Sequence, residues 1–199
     1  MEVCCYIVGC PKSGKGAVVD PGGDVERILA TVEELGLSVE YIIATHGHPD
    51  HVCGNRQLKE ATSASIVFHK LEDDFLRKPE VGNYFSMLGL EASPPADITV
   101  EEGETITIGE EKLKVIHTPG HSPGGMCLYN EPNLITGDTL FVGAIGRTDF
   151  PGGSYSDLIE MVNEKLFILP EDTVVWPGHG YGGKRSTIGQ EKKFNPYFS

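Results

Sequence analysis

The sequence predicts an α/β (α+β) chain folded as a four-layer αββα sandwich, two mixed β-sheets packed face to face with helices outside. Three observations lead there. Short β-branched runs alternate with segments of helical spacing, the rhythm of a sheet covered by helices. The second half of the chain repeats the architecture of the first without a recognisable sequence repeat. Several apolar runs also end in turns rich in Gly, Pro and His, which expose side chains on a rigid base. With 199 residues, 39% of them hydrophobic, the chain can bury a substantial core, and residues 1–199 are expected to form a single domain.

Val3 to Val8 is a β-forming run, Gly9 to Gly16 is dense in turn residues, and Ala17 to Asp20 resumes the run, so a hairpin enters the first sheet. The stretch Gly9 to Lys15 superficially matches a phosphate-binding loop. Gly16 stands where the magnesium-binding Ser or Thr belongs, however, and a strand follows instead of a helix, so nucleotide binding is not expected. Asp24 is the expected N-cap of a helix reaching Leu35, with Val25, Ile28, Leu29, Val32 and Leu35 at helical spacing and Gly36 ending it. A strand from Val39 to Ala44, a short helix from Asn55 to Glu60 and a strand from Ser65 to Phe68 follow. From Leu71 to Leu90 the pattern weakens; Tyr84, Phe85, Met87 and Leu88 would form one helical face, packed on the core or, as the alternative, rimming an active site.

Strands are then expected at Ile98–Val100, Thr105–Ile108, Leu113–Ile116, Met126–Tyr129, Leu134–Thr136 and Thr173–Trp176. A helix from Tyr155 to about Phe167 shows the stripe Leu158, Ile159, Val162 and Leu166, capped by Ser154. The tail from Thr187 to Ser199 reads as a short helix and an aromatic anchor.

The formal net charge of -13 disfavours a partner held through phosphates, and Lys184-Arg185 is too small a basic feature to change that. Five cysteines, at positions 4, 5, 10, 53 and 127, show no disulfide framework and suggest a reducing compartment. No basic segment precedes an apolar stretch at the start, and nowhere do about 18 apolar residues run together. The expectation is a soluble, cytoplasmic protein with no nucleic-acid or membrane partner; the oligomeric state stays open.

The chemistry is concentrated in Thr45-His46-Gly47-His48-Pro49-Asp50-His51, directly behind the apolar run Val39 to Ala44. Three of the chain's seven histidines fall within six residues there. Imidazole and carboxylate are ligands that zinc, iron and manganese accept, so a metal site is the natural reading. Extended alternation would place His46, His48 and Asp50 on one face and His51 on the other, while Pro49 argues for a turn in which His51 serves a different ion. Three further turns put a ligand-type side chain just past a strand: His121 after Thr118-Pro119-Gly120, Asp138 after Gly137, and His179 after Pro177-Gly178. Asp20 and Thr45, beside these turns, are candidates for orienting imidazoles from behind. His69, His117 and Cys53 are expected not to be ligands.

His46, His48, Asp50, His51, His121, Asp138 and His179 match, in order, the ligand set of the metallo-β-lactamase fold superfamily. Thr136 to Phe141, Gly146 to Phe150 and Pro177 to His179 most resemble glyoxalase II and its small bacterial relatives. The resemblance implies that His46, His48 and His121 hold a first metal, that Asp50, His51 and His179 hold a second, and that Asp138 bridges them. It makes Asp50 and Asp138 the catalytic carboxylates and implies two divalent ions per chain, zinc first, with iron or manganese as alternatives. The implied reaction is hydrolysis of a small-molecule thioester of hydroxyacyl-glutathione type by a hydroxide between the metals. Arg147 would replace the basic residue that meets a glutathione carboxylate, but Asp149 beside it would repel that carboxylate. With 20 residues after His179, the C-terminal helical domain that completes glutathione binding in glyoxalase II is not expected. The alternative within the same fold is a mononuclear-iron persulfide dioxygenase, using His46 or His48 with His121 and Asp138 as a facial triad.

Overall fold

The computed structural model describes residues 3–81, 87, 89 and 92–198. One sheet contains β1 (Tyr6–Cys10), β2 (Lys15–Val19), β3 (Ser38–Ile43), β4 (Ser65–His69) and β5 (Ile98–Val100) in that spatial order. The β1–β2 hairpin is antiparallel and every other pairing in this sheet is parallel. Crossovers are supplied by α1 (Val25–Glu34), the short α2 (Pro49–Val52) with α3 (Asn55–Thr62), and α4 (Lys70–Leu76). The other sheet is built from β6 (Thr105–Ile108), β7 (Glu111–His117), β8 (Met126–Asn130), β9 (Asn133–Gly137), β12 (Val174–Pro177) and β13 (Ser186–Thr187), adjacent in that order. It is antiparallel except where β9 and β12 run parallel. A small ribbon, β10 (Leu140–Phe141) and β11 (Ala144–Ile145), lies between β9 and α5 (Tyr155–Met161) in sequence, and α6 (Ile188–Phe194) closes the chain.

Strand alternation sorts the apolar residues into three layers. Ala17, Val19, Ile43 and Val67 meet Val115, Met126, Leu128 and Ile135 between the sheets. Their sequence neighbours Val18, Ile42, Ile66 and Phe68 point the other way, onto Ile28, Val32 and Leu58 of α1 and α3. On the far side Ile116, Cys127, Leu134 and Val175 pack against Val162, Leu166 and Ile188. The period of two therefore feeds two cores from one strand, as adjacent Ile42 and Ile43, both fully buried, illustrate. Each such side chain removed from water contributes about 1.5–3 kcal/mol before entropy is counted, so the layers hold the sheets rigidly behind the loops. Phe198 stacks edge-on against Phe167 at 4.8 Å, which is the aromatic anchor expected of the tail.

Several local expectations need correction. The helix after Asp24 runs as expected, but Asp24 sits in the left-handed region (φ 50°) and its side chain makes no cap hydrogen bond. Asp tolerates that conformation, and the turn's backbone geometry overrides its capping chemistry. Ser154 does cap, accepting from the Asp157 amide, and the helix it opens winds its last turn, Val162–Leu166, as π-helix. The ligand turn is not irregular throughout: Pro49 occupies the first helical position of α2, where a missing N–H costs nothing. Helix α4 lies where the pattern was weak, because its seven residues are too few to show a periodic stripe. The helical face expected at Tyr84, Phe85 and Leu88 lies outside the described residues, and Met87 is 85% exposed.

Candidate metal centre

Strand pairing gathers the polar turns at one end of the sandwich. Because β2 and β3 are parallel with Val19 opposite Ile43, the residues that follow them, Asp20 and Thr45, emerge side by side. Parallel β9 and β12 do the same in the other sheet, placing Asp138 and His179 next to one another beyond Gly137 and Pro177. A backbone bond of 2.9 Å from the Met126 amide to the Thr45 carbonyl ties the two ends together. Gly178 is required at this junction, since a Cβ there would overlap the Asp138 carboxylate.

All seven predicted ligand side chains converge here, in overlapping groups: His46, His48 and His121; Asp50, His51 and His179; and Asp138 with His46 and His51. Nδ1 of His48 and Nε2 of His121 face each other at 2.8 Å, Nε2 of His46 and of His121 at 3.2 Å, and Nε2 of His51 and of His179 at 3.2 Å. Ligands of one tetrahedral zinc stand about 3.3 Å apart, given bonds of about 2.0–2.1 Å. Asp138 lies between the groups, with Oδ1 at 3.4 Å from His51 Nε2 and Oδ2 at 3.6 Å from His121 and 3.5 Å from His179. Its Oδ1 is buried and accepts no hydrogen bond. Imidazole lone pairs aimed at one another and an orphaned carboxylate oxygen form a donor set that fits divalent cations. His48, Asp50 and Asp138 keep some exposure while the other four are buried, so the centre opens on their side.

The electrostatics separate the two halves. Burial pushes His46, His48 and His121 down, His48 to about 3; neighbouring imidazoles add to it at His46 and His48, and at His121 burial outweighs Asp138 and the Arg147 carbonyl, so these rings stay neutral and able to ligate. Burial would also push His51 down, but Asp20, Asp138 and Asp50 outweigh it and hold the ring up to about 9. Burial works against Asp50 ionisation too, and His179 and His51 overcome it, holding the carboxyl well below the usual range. Asp138 is pushed up by burial despite its three histidine neighbours.

Behind the ligands, Asp20 accepts from the Thr45 amide and hydroxyl, both at 2.7 Å, and meets His51 Nδ1 at 3.0 Å. Thr45 Oγ1 is 3.2 Å from His46 Nδ1, and His121 Nδ1 donates to the Arg147 carbonyl at 2.7 Å. These partners leave the Nε2 atoms of His46, His51 and His121 turned to the centre. The Arg147 guanidinium, expected to meet substrate, forks onto Asp149 at 2.7 and 2.6 Å and lies 3.9 Å over the Phe150 ring.

One residue escaped the sequence reading. Glu72 on α4 is 1% exposed, and its carboxylate accepts from the Gly47 amide (2.7 Å), the Gly124 amide (2.7 Å) and the Ser122 hydroxyl (2.9 Å). Gly47 separates His46 from His48, and Ser122 follows His121, so one side chain braces both loops that present the first group. A Cβ on Gly47 would stand 2.6 Å from Leu76, and one on Gly124 would overlap the Glu72 backbone, so the two glycines let α4 lie against both loops. Nothing local marks Glu72, because an acidic residue in a short helix ordinarily faces water.

His69, His117 and Cys53 lie apart from these groups. Cys53 donates its thiol to the Gly22 carbonyl at 2.9 Å. The two histidines stack at 4.0 Å, His69 accepting from the Leu71 amide and His117 bonded to the Pro123 carbonyl. Burial and then the His117 ring push His69 down to about 4. The unfolded chain, with an ordinary value of about 6.5, therefore takes up this proton more readily. The stabilisation by neutral His69 is complete above pH ~6.5 and lost as pH falls toward 4, by about 3 kcal/mol at most. His69→Asn keeps a cap acceptor, so its urea midpoint should fall less steeply than wild type between pH 6.5 and 4. Parallel curves would show that His69 does not titrate there.

A pocket of about 280 Å³ opens beside the first group, lined by Gly47, His48, Glu72, Phe75, Leu76, Glu80, Val81, Met87, Phe150 and Pro151.

The chain is similar to known proteins. A hydroxyacylglutathione hydrolase, GloC, of Haemophilus influenzae is 38% identical, the match spanning 92% of this chain and 87% of the relative. The human mitochondrial persulfide dioxygenase ETHE1 is 32% identical over 96% of this chain and 69% of its own length. Among solved structures, the BLEG-1 B3 metallo-beta-lactamase superposes with a TM-score of 0.88 at 33% identity, covering 99% of this chain and 94% of that one. TTHA1623, solved in a di-iron-bound form, gives 0.85 at 31% identity over 98% and 95%. The sequence pattern of the Metallo-beta-lactamase superfamily matches residues 3–179, which takes in every side chain of the centre from Asp20 to His179. With the paired sheets and the histidine-rich turns at their common end, that match shows that this chain belongs to the metallo-beta-lactamase superfamily.

Proposed function

We propose that this chain hydrolyses a thioester of hydroxyacyl-glutathione type, using two divalent ions, zinc foremost, held by His46, His48 and His121 and by Asp50, His51 and His179. The observation that supports it most is Asp138, whose carboxylate lies within 3.4 to 3.6 Å of His121 in the first group and of His51 and His179 in the second, so that it would be shared by both. When bound, two such ions lower the pKa of water to near neutrality and polarise a carbonyl as charge develops on its oxygen. The chain's own part is to hold them: Asp20 and Thr45 fix His51 and His46, the Arg147 carbonyl fixes His121, and Glu72 braces the loops. In the reaction the oxygen of water bonds to the acyl carbon, the C–S bond breaks with its electron pair going to sulfur, and of the two protons of the water one ends on the thiolate and the other in solvent, leaving a carboxylate and a thiol. No strong general acid is needed, because a thiol pKa of about 8.5 makes the thiolate a ready leaving group. The relative named hydroxyacylglutathione hydrolase supports this bond type.

The Arg147–Asp149 fork bears on the carrier. With the guanidinium occupied by a neighbouring carboxylate, a glutathione carboxylate gains little there, so weak discrimination among small thiol carriers is part of the proposal. No helix among the described residues is long and apolar enough to cross a membrane, and the charge of -13 favours a small-molecule partner over nucleic acid. A cytoplasmic setting fits free cysteines at 4, 5, 10, 53 and 127.

Persulfide oxygenation at a single iron is the second reading, favoured by the human relative. It would leave Asp50, His51 and His179 without an ion to hold, although His179 Nε2 stands 3.4 Å from Asp50 and 3.2 Å from His51. The two readings separate under anaerobic assay. The zinc-loaded protein should release thiol from a lactoyl thioester without oxygen, and strictly iron- and oxygen-dependent turnover of a glutathione persulfide alone would overturn the hydrolase reading.

A further inference from the structure

The pocket beside His48 has a composition that narrows the substrate. Its walls are Phe75, Leu76, Val81, Met87, Phe150 and Pro151, with His48 of the first group on one side. The Phe150 ring stands 5.0 Å from His48, edge-on, so the apolar wall reaches the metal centre itself. Neither of the carboxylates in the lining invites an anion: Glu72 is occupied by three donors, and Glu80 is itself negative. No Lys or Arg lines the pocket among the described residues. Lys78 and Arg147 rest against the rings of Phe75 and Phe150 without entering the lining, and Arg147 is forked onto Asp149. The sequence from Pro79 to Glu91 likewise contains no Lys or Arg. A carboxylated group would be desolvated here with no cation to meet it, whereas a hydrocarbon loses nothing and gains its transfer free energy.

We propose that this pocket is the subsite for the tail of the acyl chain, and that the preferred thioester carries an acyl group whose tail is uncharged, apolar and longer than that of lactoyl. The assignment rests on the thioesterase reading for the bond that is cleaved, and on the lining alone for what the pocket takes. At ~30 Å³ for each water-sized unit, its volume admits on the order of nine such units, which suits a chain of up to about eight carbons. The side of the acyl carbonyl that faces the pocket is then dry, while the thiol carrier lies toward solvent, where the Arg147–Asp149 pair discriminates little.

The test uses the zinc-loaded protein and N-acetylcysteamine thioesters of acetyl, butanoyl, hexanoyl, octanoyl and lactoyl groups, with the dissociation constants of the corresponding free carboxylates measured in parallel. The kcat/KM values should climb by up to about fourfold per methylene until the pocket is full, with hexanoyl at least tenfold above lactoyl, and the carboxylates should bind in the same order. Phe150→Asp should flatten the series. Met87→Asp, at an exposed position where folding is not at stake, should flatten it in part. Hydrolysis with no chain-length slope in either measurement overturns the subsite and leaves the thioesterase reading standing. A slope in carboxylate binding without turnover of any thioester overturns the thioesterase reading and leaves the apolar subsite in place.

Discussion

Asp138→Ala should reduce metal content from two ions per chain to one or fewer and lower thioester hydrolysis by about a thousandfold or more. The expected loss exceeds the 10–100-fold usual for a residue that only orients a ligand. Asp138 is set between the two groups of histidines, 3.4 Å from His51 and 3.6 Å from His121, so both groups lose the same anion at once. Its oxygens also supply the negative charge that two cations at close range require, and no other carboxylate lies among the first group of ligands. Asp138→Asn sharpens the result, because it keeps the volume and removes the charge. Metal content by elemental analysis after reconstitution in excess zinc is the direct readout. A wild-type protein that never exceeds one ion per chain would end the two-metal proposal, and a variant that still takes up two would remove Asp138 from the bridging position.

Glu72→Gln should weaken metal binding at the first group by about 10–100-fold and spare the second. The carboxylate accepts three hydrogen bonds from the loops of His46, His48 and His121, whereas Asp50, His51 and His179 are braced elsewhere, His51 through Asp20. In the glutamine, one oxygen can still serve the Gly47 amide, but the NH2 group faces the Gly124 amide, donor against donor. Leaving that amide unpartnered costs about 1–3 kcal/mol, and the strain falls on the loop carrying His121. A zinc titration of the variant should show one tight and one weakened equivalent, with kcat falling accordingly. Equal weakening of both equivalents, or a loss of thermal stability with unchanged zinc affinity, would make Glu72 a general structural residue instead. Glu72→Asp should restore little, because the shorter side chain cannot span both loops.

Much of this architecture was legible from the residues alone. The alternation in Ala17-Val18-Val19 and Ile42-Ile43 specifies which side chains face which layer, because a strand has a period of two whatever surrounds it. The clustering of His46, His48, Asp50 and His51 behind an apolar strand, with His121, Asp138 and His179 each just past another, marks the ligand types and the loops that present them. Local capping was less certain: Ser154 caps and Asp24 does not, since backbone strain in the turn decides which polar side chain can reach an amide.

What the residues could not show is who meets whom across the chain. Parallel pairing of β2 with β3, and of β9 with β12, decides that Asp20 stands beside Thr45 and Asp138 beside the His179 turn, and register over such separations leaves no trace in local spacing. Packing of α4 decides that Glu72 reaches into the centre, and the turn after Gly146 decides that Arg147 is paired with Asp149 and not held open. The sequence by itself determined the inventory of chemical groups and their order along the strands. Only the tertiary structure decided that they meet in one place around Asp138, because distances of 3 to 4 Å between residues far apart in the chain depend on how the sheets pair and pack.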